Sequence, residues 1–241
     1  MFSDQVILVT GGARGIGKAI AERFLRLGGT VYVLDQHIPE SWSDADGMPL
    51  KGDITQADDV AAAVRTIMDR SGRIDVLVNN AGITRDHVIW KMSEEEFDRV
   101  LEVNLKGAWL MCRAVIPLMR ERRYGRIVNI ASRAWLGNPG QSNYAASKGG
   151  LVSLTRVLAL ELANRNVTVN TVAPGLIRTP LTEALKPEVW ESLVQKQPGG
   201  QVGTPEDVAT AVTFFASREA QFITGQLLYV DGGRSVGAGA P

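Results

Sequence analysis

Tyr144 and Lys148 stand four residues apart in Ser142-Asn143-Tyr144-Ala145-Ala146-Ser147-Lys148, and the apolar pattern beyond them predicts a helix to about Ala163. On a helix that spacing stacks two side chains one turn apart on the same face. A phenol has an ordinary pKa of about 10, so it is a poor acid or base at neutral pH. A permanently charged neighbour favours the phenolate and lowers that value toward the working range. The pair therefore reads as a proton-transfer device. The plainer alternative is a solvated tyrosine and lysine at a helix start, and the elements around the pair must decide between the two.

Those elements alternate. Gln5–Thr10 is a continuous apolar run, as expected of a strand buried on both faces of a parallel sheet. Gly11-Gly12-Ala13-Arg14-Gly15-Ile16-Gly17 follows, then a helical pattern over Lys18–Leu27. Glycines between a strand and a helix let backbone approach a ligand closely, and the helix N-terminus offers free N–H groups to a pyrophosphate. A second strand, Thr30–Leu34, ends at Asp35, whose carboxylate can accept hydrogen bonds from both adenosine ribose hydroxyls and would repel a 2′-phosphate. Asp35 thus favours NAD. Arg14 pulls toward NADP, since a guanidinium there could meet that phosphate, be solvated, or pair with Asp35.

The segment from Asp35 to Asp53 is too short for a full crossover helix and is expected to be a loop carrying Trp42, with at most one helical turn. Pro49–Lys51 is expected as a brief third strand, Gln56–Arg70 as an amphipathic helix, and Ile74–Val78 as a fourth strand before Asn79-Asn80-Ala81-Gly82. Ser93 with Glu96 signals a capping box, opening a helix through Asn104 to about Arg122, with an irregular turn near Gly107. Asn104, a polar residue among apolar ones, has a plain reading as a packing amide. Gly125–Ala131 is the fifth strand, with Ser132 at its end, and Asn166–Val172 the sixth. Pro174-Gly175 leads into a lid at about 176–202 with short helices, exposing Leu181, Leu185 and Trp190 to a pocket. A helix from Pro205 to about Ala216, a last strand Gln226–Val230 and a glycine-rich tail Gly232–Pro241 complete the chain. Ligands bind beyond the carboxyl ends of strands in open parallel sheets, and Asp35, Asp53, Asn79 and Ser132 all fall at such ends.

Composition sets the remaining bounds. The 241 residues suit one α/β domain, 45% are hydrophobic, and 26 basic residues balance 26 acidic ones without long runs, so neither nucleic acid nor a membrane is expected as a partner. No secretory signal is read at the start and no apolar run is long enough to span a bilayer, so a soluble cytoplasmic protein is expected. Cys112, the single cysteine, lies in an apolar helical stretch and reads as a buried structural thiol. Neither His37 nor His87 has a metal-like partner nearby, so no catalytic metal is expected.

Taken together, Thr10-Gly11-Gly12-Ala13-Arg14-Gly15-Ile16-Gly17, Asn79-Asn80-Ala81-Gly82, and Asn104, Ser132, Tyr144 and Lys148 in that order resemble the short-chain dehydrogenase/reductase family over essentially the whole chain. The resemblance implies a doubly wound Rossmann-type fold, a seven-stranded parallel sheet of order 3-2-1-4-5-6-7 with helices on both faces. It implies a hydride passed between nicotinamide and a carbonyl or alcohol carbon. Tyr144 would then be the general acid or base, and Lys148 would hold the nicotinamide ribose and depress the Tyr144 pKa. Ser132 would bond the substrate oxygen, and Asn104 would hold a proton-relaying water. The cofactor would touch Gly11, Arg14, Gly15, Ile16 and Gly17, then Asp53 and Ile54 at the adenine, and Asn80, Ala81 and Gly82 along the backbone. Pro174, Gly175, Ile177 and Thr179 resemble the stretch that closes over the nicotinamide. Two departures stand out. Ser132 to Tyr144 spans twelve residues, one fewer than in many members, with Ser142 as the fallback for Ser132. The Asp35–Asp53 connection is also short.

The Gly82–Asp86, Gly137–Tyr144 and Val172–Gly175 stretches look most like 3-oxoacyl reductases acting on acyl-carrier-protein or coenzyme A thioesters. Arg126 and Arg165 could help meet an acidic carrier or could simply be solvated. Asp35 argues instead for an NAD enzyme oxidising a hydroxyacyl thioester, a polyol or another secondary alcohol. A fold that has kept cofactor binding and lost turnover is the non-enzymatic alternative. Trp90, Trp135, Trp190 and Leu185 are pocket candidates, Trp135 with a core position as its alternative. Surplus apolar residues on Glu102–Arg122 and Tyr144–Ala163 point to burial against another subunit, and the resemblance implies a homotetramer through paired helices and the Phe222–Val230 end.

Overall fold

Val6–Thr10 (β1) is buried at every position, and each neighbour in the sheet shows why. It pairs in parallel with Thr30–Asp35 (β2) on one side and with Val76–Asn79 (β4) on the other, so both its edges and both its faces are covered. The computed structural model describes residues 1–236, apart from the side chains of Asp44 and Leu181. Met48–Lys51 (β3), Gly125–Ile130 (β5), Val167–Pro174 (β6) and Leu227–Val230 (β7) complete one sheet of order β3-β2-β1-β4-β5-β6-β7, every pair parallel. The expected order is therefore the observed one.

Helices cover both faces. Ala57–Ser71 (α2), Ala108–Arg122 (α4) and Ser142–Leu162 (α5) contribute to one apolar core, around Leu8, Leu77, Ile127 and Val169. Gly15–Arg26 (α1) and Pro205–Ala216 (α8) bury Ile20, Phe24, Val212 and Phe215 in the other. Glu94–Leu101 (α3) opens with the expected capping box, Ser93 Oγ accepting from Glu96 N at 3.1 Å and Glu96 from Ser93 N at 3.0 Å. Glu102–Gly107 then runs as a π-helical segment before α4, so the irregularity expected near Gly107 extends back over Asn104. Gly107 has no room for a side chain there, since a Cβ would lie 2.6 Å from Ile54 Cδ1.

The lid region carries two short helices, Pro180–Glu183 (α6) and Pro187–Gln195 (α7). Between β2 and β3 there is only a turn of 3-10 helix at Asp44–Asp46, as the spacing required, and Trp42 is fixed by its indole N–H donating to Gly47 O at 2.8 Å. Strand and helix limits otherwise shift by one to three residues from the sequence reading; α1 begins at Gly15, within the glycine loop rather than after it. The last five residues of the expected tail, 237–241, lie outside the described residues.

Candidate active site

The carboxyl ends of β4, β5 and β6 and the start of α5 enclose a cleft of about 210 Å³. Ser132, Tyr144 and Lys148 line it together with Asn80, Pro174 and Thr179. Side chains far apart in the chain meet here because three parallel strands end at one edge while α5 runs back beneath that edge.

Lys148 is 3% exposed, and its ammonium donates to the Ile130 carbonyl at 2.8 Å. Burial pulls its pKa down to about 8. Its Nζ lies 5.6 Å from the centre of the Tyr144 ring. Tyr144 does not behave as the bare pair suggested. Crowding by protein atoms raises its pKa, bonding with Ser132 acts against that, and the Asp86 carboxylate adds to the rise. The expected depression by Lys148 is thus corrected for the protein alone. Both groups have lost solvation, and the ammonium is turned toward a carbonyl.

Ser132 reaches the cleft despite the short connection to Tyr144, because Arg133–Leu136 tightens into 3-10 helix. Its Oγ accepts from Ala134 N at 3.1 Å, which leaves the hydroxyl proton free to be donated. Ser142, the fallback, is turned away, its hydroxyl donating to Met92 Sδ at 3.3 Å. Asn104 is 1% exposed and its amide is fully engaged. Oδ1 accepts from Ile83 N at 2.8 Å, while Nδ2 donates to Ile83 O at 3.0 Å and to Ser147 Oγ at 3.1 Å. A side chain on Gly82 would come within 3.2 Å of Asn104 Oδ1 and 3.4 Å of Lys148 Nζ, so these groups crowd the same glycine. Sequence reading missed Ser147, which is buried and donates to Tyr144 O at 2.8 Å. Its place three residues after Tyr144, one helical turn on, was the available signal.

The glycine loop packs closely on itself and on Asn80 and Ala81, leaving Gly15 open. Gly11 has φ 62°, and a Cβ there would lie 2.7 Å from Ala81 Cα; one on Gly17 would lie 2.2 Å from Gly11 O. Gly15, also at positive φ, faces open space. Asn80 fastens the loop, Nδ2 donating to Gly11 O at 2.8 Å and Thr10 O at 3.0 Å. Ile16, Gly82, Gly175 and Ile177 also line the cleft. Asp35 accepts from Ala13 N at 3.2 Å and His37 N at 3.1 Å, and among the described residues it makes no ion pair with the exposed Arg14. Burial opposes the charge on Asp53, but Thr55, Gln36 and Arg99 together hold its pKa below the usual value. Ile54 beside it is 6% exposed.

The aromatic pocket candidates are not among the cleft's lining residues. Trp90 is 80% exposed, Trp190 lies under the Arg178 guanidinium, Leu185 is exposed, and Trp135 packs on Ala131, Val152 and Ala173. Leu176, Thr179 and Thr182 provide the lid's contribution instead, while the Leu181 side chain lies outside the description. Arg126 is also corrected as a carrier contact. It is 1% exposed and its guanidinium donates to the carbonyls of Gly125, Asn166 and Ser217.

Residues 11–235 match a family model described as "Enoyl-(Acyl carrier protein) reductase". A 3-oxoacyl-[acyl-carrier-protein] reductase of Thermotoga maritima is 44% identical over 95% of this chain and 97% of its own. The chain is a short-chain dehydrogenase/reductase. A further relative in this family, a (2S)-[(R)-hydroxy(phenyl)methyl]succinyl-CoA dehydrogenase subunit of Thauera aromatica, is 43% identical over 98% of both chains. The crystal structure of levodione reductase superimposes with a TM-score of 0.91 at 33% identity, covering 98% of this chain and 99% of that one. As a short-chain dehydrogenase/reductase, the chain is an oxidoreductase acting on CH–OH donors with a nicotinamide cofactor. No described helix is long and apolar enough to cross a membrane.

Proposed function

We propose that this dehydrogenase/reductase interconverts a 3-oxoacyl and a 3-hydroxyacyl thioester, with NAD as the favoured cofactor and NADP possible in its place. The observation that carries the reading is the meeting of Ser132, Tyr144 and Lys148 in one cleft beside a glycine loop. Thioester substrates are supported by the names of two relatives, one a carrier-protein reductase and the other a coenzyme A dehydrogenase. NAD is supported by the carboxylate of Asp35, held at the end of β2 by the Ala13 and His37 amides. The similarity to levodione reductase favours a second reading, oxidation or reduction of a simple secondary alcohol or ketone, polyols included.

A bound nicotinamide supplies or accepts the hydride. Tyr144 gives its proton to the substrate oxygen in reduction and takes it back in oxidation. The raised phenol pKa keeps that proton in place until it is needed, which suits reduction; in oxidation the bonding with Ser132 is what favours the phenolate. Lys148 spends one donor on Ile130 and keeps others for ribose hydroxyls. Ser132 donates to the substrate oxygen as charge develops there. Asn104, its amide consumed by Ile83 and Ser147, offers a main-chain carbonyl to a relaying water. Gly11, Arg14, Gly15, Ile16 and Gly17 hold the pyrophosphate side. Asp53 and Ile54 hold the adenine, and Asn80, Ala81, Gly82, Pro174, Gly175, Ile177 and Thr179 hold the nicotinamide half.

We read residues 1–241 as one catalytic domain with its lid at 176–202, in a cytoplasmic homotetramer that takes small or acyl-thioester substrates, acyl carrier protein among the partners. The test is the loss of NADH absorbance with acetoacetyl-CoA, its gain with 3-hydroxybutyryl-CoA and NAD, and a panel of alcohols. Turnover of alcohols alone refutes the thioester reading, as does reduction of crotonyl-CoA alone. In Tyr144→Phe, turnover falls at least about a thousandfold with NADH binding nearly intact. Retained activity removes Tyr144 from its role.

A further inference from the structure

We propose that Trp135 and Tyr229 form a positioning latch for Ser132, so that a hydrogen bond outside the cleft sets how well Ser132 serves the proton transfer at Tyr144. The proposal rests on the role given to Ser132 above.

The connection between Ser132 and Tyr144 is short and holds no long element, so the direction of the Ser132 hydroxyl depends on the turn that follows it. That turn is the 3-10 helix Arg133–Leu136, and Ser132 is its N-cap, accepting from Ala134 N at 3.1 Å. Its main-chain bonds, Trp135 N to Ser132 O at 3.2 Å and Gly137 N to Ala134 O at 3.0 Å, close within the turn itself. Among the described residues, its one side-chain hydrogen bond to the rest of the fold is Trp135 Nε1 donating to Tyr229 Oη at 3.0 Å.

Tyr229 lies on β7, paired in register with Ala173 of β6. The Trp135 ring packs against Ala131, Val152 and Ala173, with Leu227 and Tyr229 alongside. Ala131 directly precedes Ser132, and Val152 lies on α5 one turn beyond Lys148. The indole therefore joins the serine's turn to the helix carrying the tyrosine and lysine and to the sheet edge at β7. A half-buried tryptophan often finds some partner for its N–H. Here the partner is fixed on a strand, and the group it fixes is the cap residue that lines the cleft. Bonding with Ser132 is also what offsets the burial of the Tyr144 phenol.

Tyr229→Phe removes one hydroxyl and keeps the ring; Trp135→Phe removes the N–H from the other side. Each is expected to lower kcat about three- to tenfold, the scale of a small misplacement at a reacting centre, with the cofactor Kd changed less than about twofold. The phenol loses part of its support from Ser132, so the acid limb of the pH profile for alcohol oxidation moves to higher pH. In a Ser132→Ala background, where residual rate is read at high enzyme concentration, Tyr229→Phe should change nothing further. Wild-type kcat and pH profile in both variants overturn the latch. So does an equal added loss in the Ser132→Ala background, or a parallel loss of cofactor affinity, which marks general loosening. If Ser132→Ala itself does not slow the reaction, it is the role of Ser132 that fails, and the two failures are told apart.

Discussion

Lys148 carries its charge where water barely reaches and one carbonyl answers it. A fall from 10.5 to about 8 corresponds to roughly 3 kcal/mol of lost stability while the group is protonated in both states. Between pH 8 and 10.5 the unfolded chain holds a proton that the folded one has released, so this cost is full below about 8 and fades as pH rises. Lys148→Met should therefore stabilise the cofactor-free protein near neutrality, by about 1 kcal/mol once the Ile130 carbonyl's lost partner is counted. Thermal melts at pH 7 and 10 check this: the gain shrinks at the higher pH while turnover is absent at both. At Asp35 the charge should decide cofactor choice. Asp35→Asn keeps an acceptor for only one of the Ala13 and His37 amides, which bond separate carboxylate oxygens, but it removes the repulsion toward a 2′-phosphate. The ratio of kcat/KM for NADPH over NADH should rise at least about tenfold, some 1.4 kcal/mol. An unchanged ratio removes Asp35 as the determinant.

Two elements set the site more than their sequences announced. The loop between β1 and α1 closes on itself so tightly that a methyl at Gly17 would meet Gly11 O at 2.2 Å and Asn80 Nδ2 at 2.4 Å. Gly17→Ala should cost about 1–3 kcal/mol by overpacking and weaken cofactor binding beyond that. Titration of NADH fluorescence, corrected for the fraction folded, separates the two effects. Below the cleft, Asn79, Asn129, Thr155 and Thr171 form a buried chain of hydrogen bonds across β4, β5, α5 and β6. Thr155 is its centre, receiving from Asn129 Nδ2 at 2.8 Å and meeting Thr171 at 2.6 Å. Thr155→Val leaves those groups without a partner and should lower stability by about 1–3 kcal/mol in denaturant titration, with α5 the first helix to lose protection in hydrogen exchange.

At the scale of the molecule, the helical face around α3, α4 and α5 carries Leu160 at 82% and Val157 at 51% exposure beside a groove of about 1060 Å³. With Phe222, 98% exposed near β7, it is the surface expected to be covered in a tetramer. Light scattering at micromolar concentration should give four chains' mass, and Leu160→Glu a smaller species; one chain's mass for the unaltered protein refutes the assembly. Arg126 matters to the whole fold in another way. Its guanidinium holds carbonyls from the starts of β5 and β6 and the end of α8, so Arg126→Met should cost at least about 3 kcal/mol, with any effect on carrier-linked KM following from that loss.

The strands and helices themselves, the glycine loop and the Tyr144–Lys148 pair were legible from the chain alone, because apolar period and residue spacing are local properties, whereas the strand order and the two helical layers were implied only by the family resemblance. The sequence by itself also placed Asp35, Asp53 and Ser132 at strand ends, since a parallel strand's end shows where its apolar run stops. Only the tertiary structure decided the state of those groups. Whether the phenol is raised or lowered depends on how many protein atoms crowd it and where the ammonium turns. That Arg126 faces inward, that Trp135 reaches Tyr229 and that Asn104 is consumed by Ile83 and Ser147 depend on neighbours 21 to 94 residues away. Solvation and hydrogen-bond partners are set by what packs nearby in space, and no local pattern carries that information.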